Sequence, residues 1–185
     1  MSDAAPTRYF RKLVGEKCYL SPINPADAEL YTEWLNDRDV VDGLGEHRTF
    51  SLGYERDLLD KLSKEPHNFA IVDAKRDELI GGCALDGVNQ VDGTAGLGIF
   101  IGRKNLWGQG YGEEAVSLLT RFAFSDLNLN IVILTVFEFN SRAIRCYEKC
   151  GFREYGRLPR GKYRDGQYYD LIYMFAARPG FIEGR

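Results

Sequence analysis

Three glycines between Asn105 and Leu119 carry the clearest chemical signal in this 185-residue sequence. The stretch reads NLWGQGYGEEAVSLL, and its glycines stand directly before a run with helical periodicity. Glycine lets backbone N–H groups converge because it has no Cβ, and a helix start adds unpaired N–H groups and the positive end of its dipole. The pattern indicates either a phosphate-binding loop or a glycine-rich turn without a ligand, and the glycines alone favour neither.

The spacing of these glycines excludes the common phosphate-binding motifs. A P-loop needs GxxxxGK followed by Ser or Thr, and the sequence has no such string. The dinucleotide fingerprint needs GxGxxG, but Glu113 stands where the third glycine should be. That fingerprint also follows the first strand of a βαβ unit, whereas this loop lies past the middle of the chain.

The elements that must position this loop alternate between short strands and amphipathic helices. Periodicity and turn residues predict strands over 17–23, 68–73, 79–88, 94–102, 131–139, 152–158 and 167–177, and helices over 24–36, 54–64, 112–125 and 141–150. Residues 37–51 and 159–166 read as loops. The apolar run IVILTVFEF (131–139) predicts a strand buried on both faces. This order indicates an α+β (α/β) fold, with a mixed sheet covered by helices.

Composition limits the class of protein. The length suits one domain, and a net charge of −3 provides no basic surface for nucleic acid or an anionic membrane. With no apolar stretch typical of a signal peptide or membrane span, we expect a cytoplasmic protein. Four cysteines without a CxxC pair and only two histidines predict reduced thiols and no metal. The terminal IEGR resembles a protease-recognition site from a recombinant fusion.

Three blocks, in order, resemble the GCN5-related N-acetyltransferase (GNAT) superfamily. Residues 107–112, WGQGYG, are similar to the family's Q/R-x-x-G-x-G/A loop, although Trp107 replaces the usual Gln or Arg. The other two are NSRAIRCYEKCGF (140–152) and GKYRDGQYYDLIYM (161–174). The string WGQGYGEEA is most similar to the branch that contains ribosomal-protein N-terminal acetyltransferases and spermidine acetyltransferases.

The resemblance implies acetyl-CoA as a cosubstrate, no metal, and a single GNAT-like domain. Its mixed, mostly antiparallel sheet would have about six to seven strands, flanked by about four helices, with the fourth and fifth strands splayed apart. Backbone groups of 99–101 would pair with the pantetheine arm, and the N–H groups of 108–112 would hold the pyrophosphate. The cofactor-binding residues implied are Ile99, Phe100, Ile101, Trp107, Gly108, Gln109, Gly110, Tyr111, Gly112, Asn140 and Ala143.

Tyr147 is the catalytic residue that the resemblance implies, as the general acid that protonates the CoA thiolate. It matches the tyrosine of the family's N-x-x-A-x-x-x-Y pattern, and its position after Ala143 and Ile144 places it on the inward face of a helix. A phenol is protonated at neutral pH, as this role requires. By residue type alone, Tyr147 would be a core aromatic. Asn140 is expected to cap the same helix as well as to contact the cofactor.

The residues around the glycine loop suggest how a pyrophosphate would be bound. Gln109 stands where relatives often have lysine, so we expect the loop to depend on backbone donors more than on charge. Glu113 and Glu114 complement the dipole of the following helix. Because they would repel phosphate, we expect their side chains to face outward.

The general base stays open. Many relatives carry a glutamate on the strand before the glycine loop, where this chain has Ala95-Gly96-Leu97. The candidates are a water chain or one of four side chains: Asp42, Glu46, His47 and His67.

The acceptor amine is equally open at this level. An acidic set could form a rim for a cationic acceptor or belong to a solvated loop: Asp37, Asp39, Asp42 and Glu46. A basic set near the C-terminus could bind an acceptor's phosphate or carboxylate, or be solvated: Arg157, Arg160, Lys162 and Arg164.

The sequence therefore predicts an N-terminal extension (1–16), a GNAT domain (17–176) and a C-terminal tail (177–185). The expected function is direct transfer of acetyl from acetyl-CoA to a primary amine of a small molecule, such as a polyamine or amino sugar, or of a protein N-terminus. A non-catalytic acyl-CoA-binding module is the alternative. We expect acetyl-CoA and the amine as partners, no nucleic acid or membrane, and a homodimer as an option.

Overall fold

A single sheet of eight strands runs through residues 8–182, the part of the chain that the computed structural model describes. The strands are β1 (Leu13–Val14), β2 (Cys18–Pro22), β3 (Asn68–Asp73), β4 (Leu79–Asn89), β5 (Thr94–Ile101), β6 (Ile131–Phe137), β7 (Arg153–Arg164) and β8 (Gln167–Ala177). The α-helices are α1 (Ala28–Asn36), α2 (Arg38–Val41), α3 (Leu52–Leu62), α4 (Tyr111–Ser125) and α5 (Ser141–Lys149). None of the helices in this range is long and apolar enough to cross a membrane.

The sheet has one parallel contact, and that contact is short. The strand order is β1-β2-β3-β4-β5-β6-β8-β7, and β5 pairs with β6 in parallel while the other neighbours are antiparallel. The β5–β6 ladder begins at Thr94↔Ile131 and ends at Gly96↔Ile133. Beyond Gly96 the two strands separate, which confirms the predicted splay.

The helices cover the two faces of the sheet unequally. One core contains α4 with the inward side chains of β5 and β6, among them Ala95, Leu97 and Val132. The second core, on the opposite face, joins α1 and α3 to β2, β3 and β4. On this second face β6 is open, since Ile133 is 39% exposed and Thr135 is also exposed.

Four features differ from the sequence prediction. The sheet has eight strands because Leu13–Val14, too short for a periodic signal, pairs with β2. Residues 38–41 form α2 within a predicted loop, capped by the Asp37 side chain. The predicted loop 159–166 is mostly strand, because β7 continues to Arg164 and turns at Asp165–Gly166. β6 is buried on one face only, because α1 and α3 cover β2, β3 and β4 but do not extend over β6.

Candidate active site

The glycine loop adopts a conformation that needs glycine at two positions. Gly108 and Gly110 have φ angles of +75° and +89°, in the left-handed region. Gly110 is also the N-cap residue of α4, and no side chain caps this helix start. Among residues 8–182, the N–H groups of Gly110, Tyr111, Gly112 and Glu113 have no hydrogen-bond acceptor. They are free donors at the positive end of a 15-residue helix, which suits a diphosphate.

Lys17 adds a positive charge to this loop that sequence reasoning missed. Its Nζ donates to the Gln109 carbonyl oxygen at 3.0 Å. A Cβ built on Gly110 would lie 3.6 Å from the same Nζ. Gln109 itself turns away, with Nε2 donating to the Asn105 carbonyl at 2.6 Å. Lys17 lies 92 residues from Gln109 in the chain, so no local pattern could have paired them.

Glu114 holds Lys17 in place. Its carboxylate accepts hydrogen bonds from the backbone N–H groups of Glu16, Lys17 and Cys18 at 2.9, 2.8 and 2.7 Å. Burial by itself would raise the pKa of Glu114, but these N–H donors lower it below its usual value. The expectation that Glu114 faces outward is therefore wrong, because three N–H donors attract it to the start of β2. Glu113 pairs with Lys149 at 3.2 Å.

The gap between β5 and β6 presents unpaired backbone groups. Odd-numbered residues of β5 direct their backbone groups towards β6, and even-numbered residues direct theirs towards β4. Ile99 therefore has its N–H and C=O in the gap, beyond the end of the ladder. Phe100, predicted with it, directs these groups at β4, while the Ile101 carbonyl accepts the indole N–H of Trp107 at 2.8 Å.

Trp107 supports the strand end, and Arg142 covers it. The Arg142 guanidinium lies 3.7 Å from the centre of the Trp107 ring, within cation–π range. Arg142 belongs to the NSRAIRCYEKCGF block, so its proximity to the predicted cofactor-binding residues could have been inferred from that motif. Arg142 and Lys17 therefore place more positive charge near the loop than we expected from the presence of Gln109 where relatives often have lysine.

Helix α5 presents Tyr147 and Asn140 as the spacing predicted. The Asn140 side chain accepts from the Ala143 N–H at 3.1 Å, which confirms the cap. Tyr147 is 9% exposed and packs against Phe152. Burial, and then the neighbouring Cys146, raise the pKa of the Tyr147 phenol above its ordinary value, so it is protonated at neutral pH.

One cavity of about 250 Å³ brings most of the predicted residues together. It is lined by Ile99, Phe100, Ile101, Trp107, Gly108, Gly110, Gly112, Asn140, Ala143 and Tyr147. Gln109 and Tyr111 are outside it, since the Tyr111 hydroxyl donates to Asp73 at 2.8 Å. Residues of α2 and the loop that follows it, including Val40 and Leu44, close the cavity on the side of the second core.

The charged groups beside α2 are already paired. Asp37 and Asp39 contact Lys104 at 2.6 and 2.9 Å, and Asp42 contacts Arg164 at 2.6 Å. Glu46 pairs with Arg48 at 3.1 Å. Each carboxylate of the predicted acidic rim thus contacts a cation of the same chain, with Lys104 shared between two of them.

The two histidines lie apart from the cavity. The Nε2 atom of His47 is 2.9 Å from the Lys162 Nζ. His67 packs against Phe122 of α4. No group of three His, Cys, Asp or Glu side chains suited to a metal occurs within residues 8–182, and the four cysteines are free.

Comparisons with known proteins agree with this geometry. The chain matches the acetyltransferase (GNAT) domain family over residues 17–153. The uncharacterized N-acetyltransferase p20 of Bacillus licheniformis is 28% identical over 169 residues, covering 89% of this chain and 94% of that protein. Spermidine N(1)-acetyltransferase of Vibrio cholerae is 29% identical over 129 residues, covering 70% and 72%.

Solved structures show the same fold. The spermidine N-acetyltransferase from Vibrio cholerae in complex with CoA and spermine has a TM-score of 0.81 and 24% identity, covering 91% of this chain and 99% of that one. With its family match extending over most of its length, the chain belongs to the GNAT acetyltransferase family. This confirms the predicted class, an N-acetyltransferase that uses acetyl-CoA.

Proposed function

We propose that the protein transfers the acetyl group of acetyl-CoA directly to a primary amine, with Tyr147 as the general acid. The observation that carries the proposal is the cavity, which contacts the glycine loop, the unpaired backbone of Ile99 and the Tyr147 side chain. A diphosphate on the free N–H groups of 110–113 would extend an attached chain along the β5 edge towards Tyr147.

The residues have separate tasks in this reaction. Acetyl-CoA supplies an activated thioester. Ile99 would orient its amide-bearing arm through backbone hydrogen bonds, while Lys17 and the helix start offset the phosphate charge. Tyr147 would give its proton to the CoA sulfur as the carbon–sulfur bond breaks.

The acceptor is a primary amine of a small molecule or of a protein N-terminus. The Vibrio cholerae relative acts on spermidine, which supports testing polyamines first. However, the acidic residues of the α2 region are paired with cations, so they leave little free negative charge for a polycation. A substrate with one amine next to an apolar or anionic group fits these contacts better.

A two-part assay tests the proposal. Saturating acetyl-CoA should raise the stability of the protein by about 2.7 kcal/mol at 100 times its Kd, whereas NAD and ATP should not. Release of free CoA thiol is then followed with spermidine, glucosamine, an aminoglycoside and a peptide with a free N-terminus. Turnover with one class identifies the acceptor. Binding without turnover of any amine would instead support an acyl-CoA-binding module.

A further inference from the structure

Asp86 on β4 has a carboxylate beside the gap that no residue of the described chain neutralises. It pairs with Gly96, the residue at which the β5–β6 ladder ends. The Asp86 side chain is exposed and has no hydrogen-bond or ion-pair partner among residues 8–182. A carboxylate at this point can meet whatever enters between the two strands.

Two glycines of β5 lie next to this carboxylate. A Cβ built on Gly98 would lie 3.6 Å from Asp86 Oδ2, and one built on Gly96 would lie 3.7 Å from the Asp86 Cβ. The side chain of Asp86 therefore leans along the strand, over Gly98 and towards the splayed part of the gap. Both distances are ordinary contacts, so the glycines do not exclude larger side chains.

Asp86 and Tyr147 lie on opposite faces of the sheet. Gly96, Gly98 and Phe100 point to the face covered by α1, where Phe100 packs edge-on against Tyr31 and Trp34. Tyr147 belongs to the other core, with Ala95 and Leu97. Next to Gly96 the α1 face is open at Ile133, so an acceptor can reach the gap from the Asp86 side.

Resting on the proposed function, we propose that Asp86 is the catalytic base: it holds the acceptor's ammonium group and takes up the proton that the nitrogen releases as its bond to the acetyl carbon forms. The other acids near this opening are held by cations, as the pairs of Asp39, Asp42 and Glu46 show. None of the residues considered as a base from the sequence combines a free carboxylate with a place on the strand that pairs with β5 next to the gap.

The nitrogen of the acceptor loses two protons in this reaction, and the CoA sulfur gains one. The ammonium loses its first proton to water, and the neutral nitrogen then forms a bond to the acetyl carbon. As this bond forms the nitrogen becomes strongly acidic, so a carboxylate is a competent proton acceptor. Asp86 takes that second proton and passes it to solvent. The carbon–sulfur bond breaks, and Tyr147 protonates the CoA sulfur before it regains a proton from water.

Asp86→Asn tests the assignment, because it keeps the shape of the side chain and removes its basicity. With the amine that the wild-type chain acetylates fastest in the panel above, we expect kcat to fall about 100-fold, while the Kd for acetyl-CoA stays unchanged. Adding Gly96→Glu to Asp86→Asn puts a carboxylate back over the same gap and should recover at least part of the lost kcat. Asp126→Asn, at the exposed end of α4, is the matched control and should leave kcat unchanged.

The outcomes separate this assignment from the proposed function. An unchanged kcat in Asp86→Asn, a parallel loss of acetyl-CoA binding, or a loss that Gly96→Glu leaves untouched would overturn the role of Asp86 alone. If the wild-type chain acetylates none of the amines, the proposed function fails and the base assignment fails with it.

Discussion

Tyr147 combines two properties that a general acid for a thiolate needs. It is buried, which raises the pKa of the phenol and keeps it protonated, and it lines the cavity next to the unpaired strand edge. Among the described residues its hydroxyl has no hydrogen-bond partner that would compete for the proton. Its place in the cavity, rather than its burial, is what supports the proposed role.

Tyr147→Phe should therefore lower kcat by roughly 100-fold and leave the Kd for acetyl-CoA nearly unchanged, because only the proton donor is removed. Steady-state kinetics and calorimetric titration measure the two quantities. Tyr155→Phe, on an exposed tyrosine of β7, is the control. Equal kcat values in wild type and Tyr147→Phe would exclude the phenol as the acid.

We expect the glycine loop to determine the affinity for acetyl-CoA. Gly110→Ala forces a Cβ into a φ of +89°, which costs roughly 1–2 kcal/mol and displaces the free N–H groups. Gln109→Ala removes a side chain that only bonds its own loop. We expect the first change to raise the KM for acetyl-CoA roughly tenfold and the second to change it little. Comparable effects of the two substitutions would contradict a backbone cradle.

The Glu114 carboxylate links α4 to the start of β2 and contributes to the stability of the fold. The depressed pKa of Glu114 means that its stabilising contribution is present above the carboxyl's unfolded pKa and is lost as pH falls through the lower folded pKa. Because the group is partly exposed, we expect Glu114→Gln to lower the free energy of unfolding by about 1–2 kcal/mol at pH 7. This deficit should shrink in acid below roughly pH 4.

Denaturant titrations of Glu114→Gln at pH 7 and in acid measure this loss of unfolding free energy. Glu33→Gln, on an exposed residue of α1, is the control. Glu114→Gln should also weaken acetyl-CoA binding, since it releases the segment that carries Lys17. A pH-independent deficit would show that the hydrogen bonds to the carboxylate are not its cause.

For the whole molecule, local patterns predicted most elements but not their surroundings. β3 and β8 occupy the predicted ranges, and the Asn140 cap was also foreseen, because each depends on residues within one turn or strand. The one-sided burial of β6 could not be foreseen, since it depends on where the helices of another part of the chain end. Lys17 approaches the glycine loop only through tertiary pairing, so the sequence contained no spacing that would reveal it.

The short parallel ladder makes neighbouring amides of β5 unequal in their access to solvent protons. Gly98 and Phe100 direct their N–H groups into the ladder with β4, whereas that of Ile99 opens onto the gap. In deuterated buffer the Ile99 amide should exchange much faster than the amides on either side, and acetyl-CoA should slow it selectively. Residue-resolved exchange measured by NMR would thus detect cosubstrate on the strand edge without any turnover, and equal rates at 98, 99 and 100 would mean that the edge is not free.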